Sequence, residues 1–119
     1  MPLKERRKSQ RVSVDWPAVI WSSKGAFSGG LKDISAGGAC LITNTLLKPK
    51  ERLSLYVAPD NHRTFRVDSK VVWLHVDCSK HNSSSCTMGI RFTKVSEIDR
   101  QGLEGAISNK QQAKETSHL

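Results

Sequence analysis

An arginine cluster near the start of the chain has residue types and spacing that could bind an anion. Arg6 and Arg7 are adjacent, and Arg11 lies four positions after Arg7. A guanidinium group is a planar fork of hydrogen-bond donors that fits phosphate oxygens and also the O6 and N7 atoms of guanine. Taken alone, such a cluster is equally typical of a solvated basic arm, so a second element is needed to define a specific ligand.

A second polar cluster, the segment DISAGG at 33–38, supplies complementary groups. The carboxylate of Asp33 accepts hydrogen bonds and suits the N1–H and amino donors of a guanine, and the Ser35 hydroxyl can donate or accept. Gly37 and Gly38 permit a tight turn and let a ligand approach the backbone closely. The same residues also fit ordinary turn capping by side-chain-to-backbone bonds, and the two roles are compatible.

The overall composition points to an anionic partner. The 119 residues suit one domain, and the formal net charge of +8 predicts a nucleic acid, a nucleotide or an acidic surface as partner. No apolar run follows the charged start and no segment reaches the length of a membrane helix, so we expect a cytoplasmic protein without membrane association. Three cysteines, an odd number without a secretory signal, favour reduced thiols.

The apolar residues predict a fold built of short strands. The segment 12–20 alternates apolar and mostly polar residues, which indicates a half-buried strand, and Pro17 should place it at an edge or next to a bulge. Tight turns are predicted near 24–25 and 36–38. About six such strands indicate an antiparallel sandwich or barrel. The predicted inward residues are Val12, Val14, Trp16, Ala18, Ile20, Cys40, Leu53, Leu55, Val57, Phe65, Val67, Val71, Trp73, Cys86, Met88, Ile90 and Phe92.

The last part of the chain is predicted to form one helix. Ser96 can cap its start, whereas Gly102 and Gly105 each cost about 1 kcal/mol relative to alanine, so the helix must be held by docking on the strands. Its predicted apolar face consists of Leu103, Ala106 and Ile107. We therefore expect a flexible basic arm at 1–10, a folded domain at 11–110 and a disordered tail at 111–119.

Together, the two polar clusters resemble the signature of the PilZ domain, a bacterial receptor for cyclic di-GMP. The segment 7–11, RKSQR, fits R-x-x-x-R just before the first strand, and the segment 33–38 fits D/N-x-S-x-x-G at a turn between strands. The later segments VVWLHV and MGIRF, with Trp73, Gly89 and Phe92, are similar to the last strand pair of the family. The resemblance covers roughly residues 5 to 107.

The resemblance implies a fold and a function. The implied fold is all-β, a six-stranded antiparallel β-barrel with a C-terminal α-helix. The implied function is that of a cyclic di-GMP receptor, not an enzyme, whose arm becomes ordered over the ligand and whose signal passes to an unidentified downstream protein. The residue before R-x-x-x-R is associated in this family with ligand number, and Arg6 at that position favours an intercalated ligand pair. The implied ligand-binding residues are Arg6, Arg7, Arg11, Asp33, Ser35, Gly37 and Gly38.

Two other functions remain open from the sequence. The chain could be a nucleic-acid-binding β-barrel that uses the same basic surface, or a ligand-independent protein-interaction module. The intact motifs argue against the module, and we do not expect nucleic acid as the partner. No nucleophile elbow or carboxylate pair suggests catalysis, and no cofactor is predicted.

Two further groups of residues are functional candidates. One contains four potential zinc ligands, His75, Cys78, His81 and Cys86, but their spacing matches no common structural zinc pattern, so we predict a hairpin loop and no metal. The other group is the tryptophans, which could stack on bases. Trp16 and Trp73 fall on the apolar alternation and are predicted core residues, whereas Trp21 is predicted to be exposed.

Overall fold

The computed structural model describes residues 11–78 and 84–116, with side chains for 11–77 and 85–112. The predicted arm, which contains Arg6 and Arg7, lies outside the described residues, as do 79–83 and 117–119. The elements in chain order are β1 (Val12–Ser22), β2 (Gly25–Ile34), β3 (Gly38–Thr43), β4 (Arg52–Val57), β5 (Phe65–Cys78), β6 (Ser84–Lys94) and the helix α1 (Glu97–Thr116).

The six strands form one closed antiparallel barrel in the order β1-β2-β3-β6-β5-β4. β1 pairs with β2 on one side and with β4 on the other, so closure removes the exposed edges that a small sheet would otherwise present. The predicted six-stranded antiparallel barrel with a C-terminal helix is therefore confirmed. Within 11–78 and 84–116, no helix is both long enough and apolar enough to cross a membrane.

Alternating side chains fill the barrel interior. β1 buries every second residue from Val12 to Ile20, and β4 does the same with Leu53, Leu55 and Val57. Pro17 follows a register shift between Ser13 and Trp16, and the pairing of β1 with β4 begins only at Ala18. The bulge predicted for this strand is therefore present, and it lies directly before the proline, where a missing backbone donor is tolerated.

The predicted inward positions of Trp73 and Cys40 are wrong. The register between β5 and β6 shifts just after Val71, which interrupts the alternation, and Trp73 is 49% exposed on the outer face. Such an irregularity turns the following side chains to the opposite face of the sheet. Cys40 is half-buried and lies between the buried residues Ala39 and Leu41, so it also faces outward.

Helix α1 docks on the barrel through its apolar face. The Ser96 hydroxyl caps its start by accepting a hydrogen bond from the Asp99 N–H at 3.2 Å. A Cβ atom on Gly102 would lie 2.2 Å from Cε1 of Phe65, so the glycine permits the close approach of helix and barrel. The helix continues to Thr116, so the expected domain end at 110 falls within it. The predicted apolar face is confirmed as buried: Leu103, Ala106 and Ile107.

Candidate functional site

An ion pair joins the two polar clusters. Nη1 of Arg11 donates a hydrogen bond to Oδ1 of Asp33 at 2.7 Å. Arg11 stands directly before β1, and Asp33 lies near the end of β2, where the antiparallel pairing of the two strands brings them together. The side chains are 51% and 31% exposed, so both remain accessible from the outer face of the barrel.

The turn between β2 and β3 is held by Ser35. Its N–H donates to the Gly38 carbonyl at 2.8 Å, its hydroxyl contacts the same oxygen at 3.3 Å, and that hydroxyl lies 3.4 Å from the Gly37 N–H. Ser35 is only 4% exposed. The hydroxyl therefore organises the turn, as the capping interpretation of the sequence predicted.

The two glycines of the turn have different environments. A Cβ atom on Gly38 would lie 2.3 Å from the backbone oxygen of Ile90, so only glycine lets β3 approach β6 there. A Cβ atom on Gly37 would meet nothing within 4 Å, which leaves open space above the turn. The Gly37 carbonyl accepts a hydrogen bond from the Phe92 N–H at 2.9 Å. The turn is thus fixed to β6 and open toward solvent.

A row of outward-facing residues extends from Asp33 across three further strands. Asp33 pairs with Cys40, Cys40 with Gly89, and Gly89 with Trp73. The row crosses three strand spacings, about 14 Å. A Cβ atom on Gly89 would lie 2.0 Å from Nε1 of Trp73, so the indole ring lies directly over the glycine. The result is a shallow surface with a carboxylate at one end and a half-exposed aromatic ring at the other.

Trp73, like Cys40, was wrongly predicted to face inward. Its sequence position continues the apolar alternation of β5, and only the register shift after Val71 reveals its outward position. The signal that could have found it is Gly89, which the sequence places on the outer face of β6. A glycine within a strand often marks the close approach of another group, here an aromatic ring on the neighbouring strand.

Cys40 lies in the middle of this row, beside the Arg11–Asp33 pair. Partial burial raises the pKa of the Cys40 thiol above its ordinary value, and the nearby Asp33 carboxylate raises it further, while Arg11 acts in the opposite direction. A thiol of ordinary pKa is already mostly protonated near neutral pH, and the upward shift acts in the same direction. A neutral, weakly polar group at this position leaves the surface free of a competing negative charge.

The four potential metal ligands are not brought together as far as they are described. His75 is exposed on the outer face of β5, whereas Cys86 is fully buried inside the barrel. His81 and the side chain of Cys78 lie outside the described residues. Within the part of the chain that is described, no group of three potential metal-ligating side chains occurs.

Comparisons with known proteins agree with this architecture. A family model described as the PilZ domain matches residues 5–109. The PilZ domain of YcgR from Escherichia coli, solved with c-di-GMP, superposes with a TM-score of 0.73 at 19% identity, covering 95% of this chain and 98% of that one. A comparison with curated proteins finds no match.

Two longer proteins contain a similar fold. MrkH from K. pneumonia in complex with c-di-GMP gives a TM-score of 0.78 at 19% identity, covering 94% of this chain and 55% of that one. MotI/DgrA, an inhibitor of motility from Bacillus subtilis, gives 0.71 at 20%, covering 92% and 52%. The chain thus spans about half the length of these two proteins.

The barrel, its C-terminal helix and the turn fixed to β6 define a small β-barrel domain that carries the Arg11–Asp33 pair on its outer face. The chain belongs to the PilZ domain family, because the family model covers nearly all of it.

Proposed function

We propose that this chain is a cytoplasmic receptor for cyclic di-GMP, and not an enzyme. The observation that carries the proposal is the 2.7 Å contact between Arg11 and Asp33, which joins the two halves of the signature on one accessible surface. A guanidinium and a carboxylate side by side offer donors and acceptors together. A guanine needs both, since its Hoogsteen edge accepts hydrogen bonds and its N1–H and amino group donate them.

Each described residue of the surface has a distinct role in this proposal. Arg11 binds a phosphate or a guanine edge, and Asp33 accepts hydrogen bonds from guanine donors. Trp73 provides an aromatic face on which a base stacks, since its ring is half exposed at the other end of the row. Ser35, Gly37 and Gly38 hold the turn and leave open space above it for the ligand.

The Arg11–Asp33 pair is weak enough to rearrange around a ligand. Both side chains are substantially exposed, and ion pairs of that kind contribute only about 0–1 kcal/mol. Little stability is therefore lost when a phosphate binds Arg11 in place of Asp33. The Asp33 carboxylate then becomes available to the guanine. The pair positions both groups in the absence of ligand without blocking the site.

The arm supplies the remaining contacts in the proposal. Arg7 completes the R-x-x-x-R element, and Arg6 is placed to contact a second ligand molecule of an intercalated pair. The arm becomes ordered over the anionic ligand, because the phosphates offset the mutual repulsion of the arginines. The new surface then passes the signal to a downstream protein, through contacts that exist only in the ligand-bound state.

Calorimetric titration of cyclic di-GMP into the full chain tests the proposal. We expect saturable binding by the wild type and a loss of roughly tenfold or more in Arg7→Ala and Asp33→Ala, since each substitution removes a charge-assisted hydrogen bond. The matched control is Asp15→Ala, which removes a carboxylate that is 90% exposed and lies 3.7 Å from Nζ of Lys32. That variant should bind like the wild type.

Selectivity and stoichiometry complete the test. Linear di-GMP and GMP should bind far more weakly than the cyclic ligand, because only the cyclic form presents both guanines and both phosphates in a fixed arrangement. A stoichiometry of two that falls to one in Arg6→Ala would support the ligand pair. No heat and no thermal shift at high ligand concentration would refute the receptor function.

A further inference from the structure

A second surface, which adjoins the Asp33–Trp73 row because its Arg91 pairs with Gly38, is lined by four cations. It is a wide groove on the outer face of β4, β5 and β6, with an accessible volume of about 640 Å³. We call it the β4–β6 groove. Its positively charged residues are Arg52, Lys70, Arg91 and Lys94. Trp21, Ser22, Ser54 and Asp68 also line it.

Three of the cations stand in a row of directly paired positions. Arg52 on β4 pairs with Lys70 on β5, and Lys70 pairs with Arg91 on β6. Side chains at such positions have Cβ atoms about 4.5–5.5 Å apart, and like charges placed directly opposite one another destabilise a sheet. An anion that binds across the three cations would therefore relieve this repulsion.

The described part of the chain provides no such anion. Within 11–78 and 84–116, none of the four cations forms an ion pair. Asp68, the acidic residue in the groove, already accepts a hydrogen bond from Ser54 at 2.9 Å and pairs with Arg66 at 3.5 Å. Its carboxylate is thus engaged at one side of the groove, and the cationic row is left for an external partner.

An exposed tryptophan stands at the end of the neighbouring row. Trp21 on β1 pairs with Ser54 on β4, Ser54 with Asp68 on β5, and Asp68 with Lys94 on β6. From Trp21 to Lys94 the row crosses three strand spacings, about 14 Å. Trp21 is 53% exposed, which the sequence predicted, and its ring bounds the groove opposite Lys94.

This combination fits a strand of nucleic acid better than an acidic protein. Proteins that bind single strands combine a cationic groove, which follows the phosphates, with an aromatic ring on which a base stacks. Protein interfaces, in contrast, are more than half non-polar in area. Trp21 is the exposed apolar side chain of this groove, and the other accessible groups are cations, hydroxyls and the partly exposed carboxylate of Asp68.

We propose that the β4–β6 groove binds single-stranded nucleic acid, with Trp21 stacking on a base and Arg52, Lys70, Arg91 and Lys94 contacting successive phosphates. The proposal goes beyond cyclic di-GMP recognition and does not depend on it, because none of these five residues belongs to the PilZ signature. It assigns a partner to positively charged residues that lie outside the signature.

Fluorescence anisotropy with a labelled oligothymidylate of about 12 nucleotides, and with the matching oligouridylate, tests the proposal on the full chain. Four phosphate contacts predict a slope of log K against log salt concentration of about −2.8. The slope should become shallower by about 0.7 for each cation removed. Poly-glutamate of equal charge is the competitor that represents an acidic protein, and it should displace the oligonucleotide poorly.

Matched variants separate the groove from the general positive charge. Arg52→Glu and Lys70→Glu should weaken binding several-fold, while Arg100→Glu and Lys110→Glu on α1 change the net charge equally and should have little effect. Trp21→Ala should weaken binding by roughly fivefold or more. In fluorescence, Trp21→Phe should abolish quenching by the oligonucleotide, and Trp73→Phe should retain it. Circular dichroism and thermal unfolding verify that each variant is folded.

Several results would overturn the proposal. Absence of oligonucleotide binding at about 50 mM salt would refute it directly. Equal losses in the groove and α1 variants would show non-specific attraction to a basic protein. Tight binding of poly-glutamate without oligonucleotide binding would point to an acidic protein partner instead. A loss of binding in Asp33→Ala, with none in Lys70→Glu, would place the oligonucleotide at the PilZ signature.

Discussion

Two glycines of α1 should respond in opposite ways to the same substitution. Replacing a helical glycine with alanine stabilises a helix by about 1 kcal/mol. At Gly105, where a Cβ atom meets nothing within 4 Å, we expect this full gain. At Gly102 the new Cβ atom would lie 2.2 Å from Cε1 and 2.8 Å from Cζ of Phe65, whose side chain is only 1% exposed.

The two variants together isolate the overpacking energy at the contact between Gly102 and Phe65. Overpacking of this kind costs about 1–3 kcal/mol, so Gly102→Ala should be between neutral and about 2 kcal/mol less stable than wild type. Because the helix-propensity gain is common to both, the difference between the variants equals the overpacking energy alone. Urea denaturation followed by circular dichroism measures it, and a difference of 1 kcal/mol corresponds to about 4 °C in Tm. Equal stabilisation by both substitutions would refute the close contact between α1 and Phe65.

Three further predictions concern the site and the barrel. Gly38→Ala should lose about 1–3 kcal/mol of stability in urea denaturation because its Cβ atom would collide with the backbone of β6, whereas Gly37→Ala should be nearly neutral. A double-mutant cycle of Arg11→Ala and Asp33→Ala should give a coupling free energy of unfolding no greater than about 1 kcal/mol without ligand. Burial raises the pKa of the Cys86 thiol above its ordinary value of 9.0, so the thiol ionises at a lower pH in the unfolded chain than in the folded chain. The free energy of unfolding should therefore decrease as the pH rises above that value. The decrease should be smaller in Cys86→Ala. Unfolding curves measured across this pH range test both expectations.

The sequence predicts which way a side chain faces where a single physical constraint determines its position. The alternation from Val12 to Ile20 fixes one face of β1, because a period of two is the geometry of a strand. The proximity of Arg11 and Asp33, a structural finding, is consistent with the chain order, since a hairpin returns β2 to the start of β1.

The facing of side chains in β3 and in the second half of β5 could not be read from the sequence. The segment KVVWLH contains apolar residues on both faces, so its alternation has no unique phase, and Trp73 was assigned to the core. Cys40 stands in the apolar run ACLIT, where the same ambiguity applies. The β4–β6 groove was also missed, because Arg52, Lys70 and Arg91 are far apart in sequence and become neighbours only through cross-strand pairing.

In the proposed receptor, the described contacts favour α1 as the route by which a ligand at the signature turn would affect the rest of the domain. The Gly37 carbonyl is bonded to the Phe92 N–H, and the Phe92 side chain borders a cavity of about 180 Å³ shared with Leu103 and Ile107 of α1. A densely packed interior resists small displacements, whereas a cavity gives a side chain a second position. A shift of the turn that moves Phe92 into this space would alter the docking of α1, while the packed strands on the opposite side of the barrel would be little affected. We therefore expect a downstream protein that senses the ligand to contact the arm and α1 together.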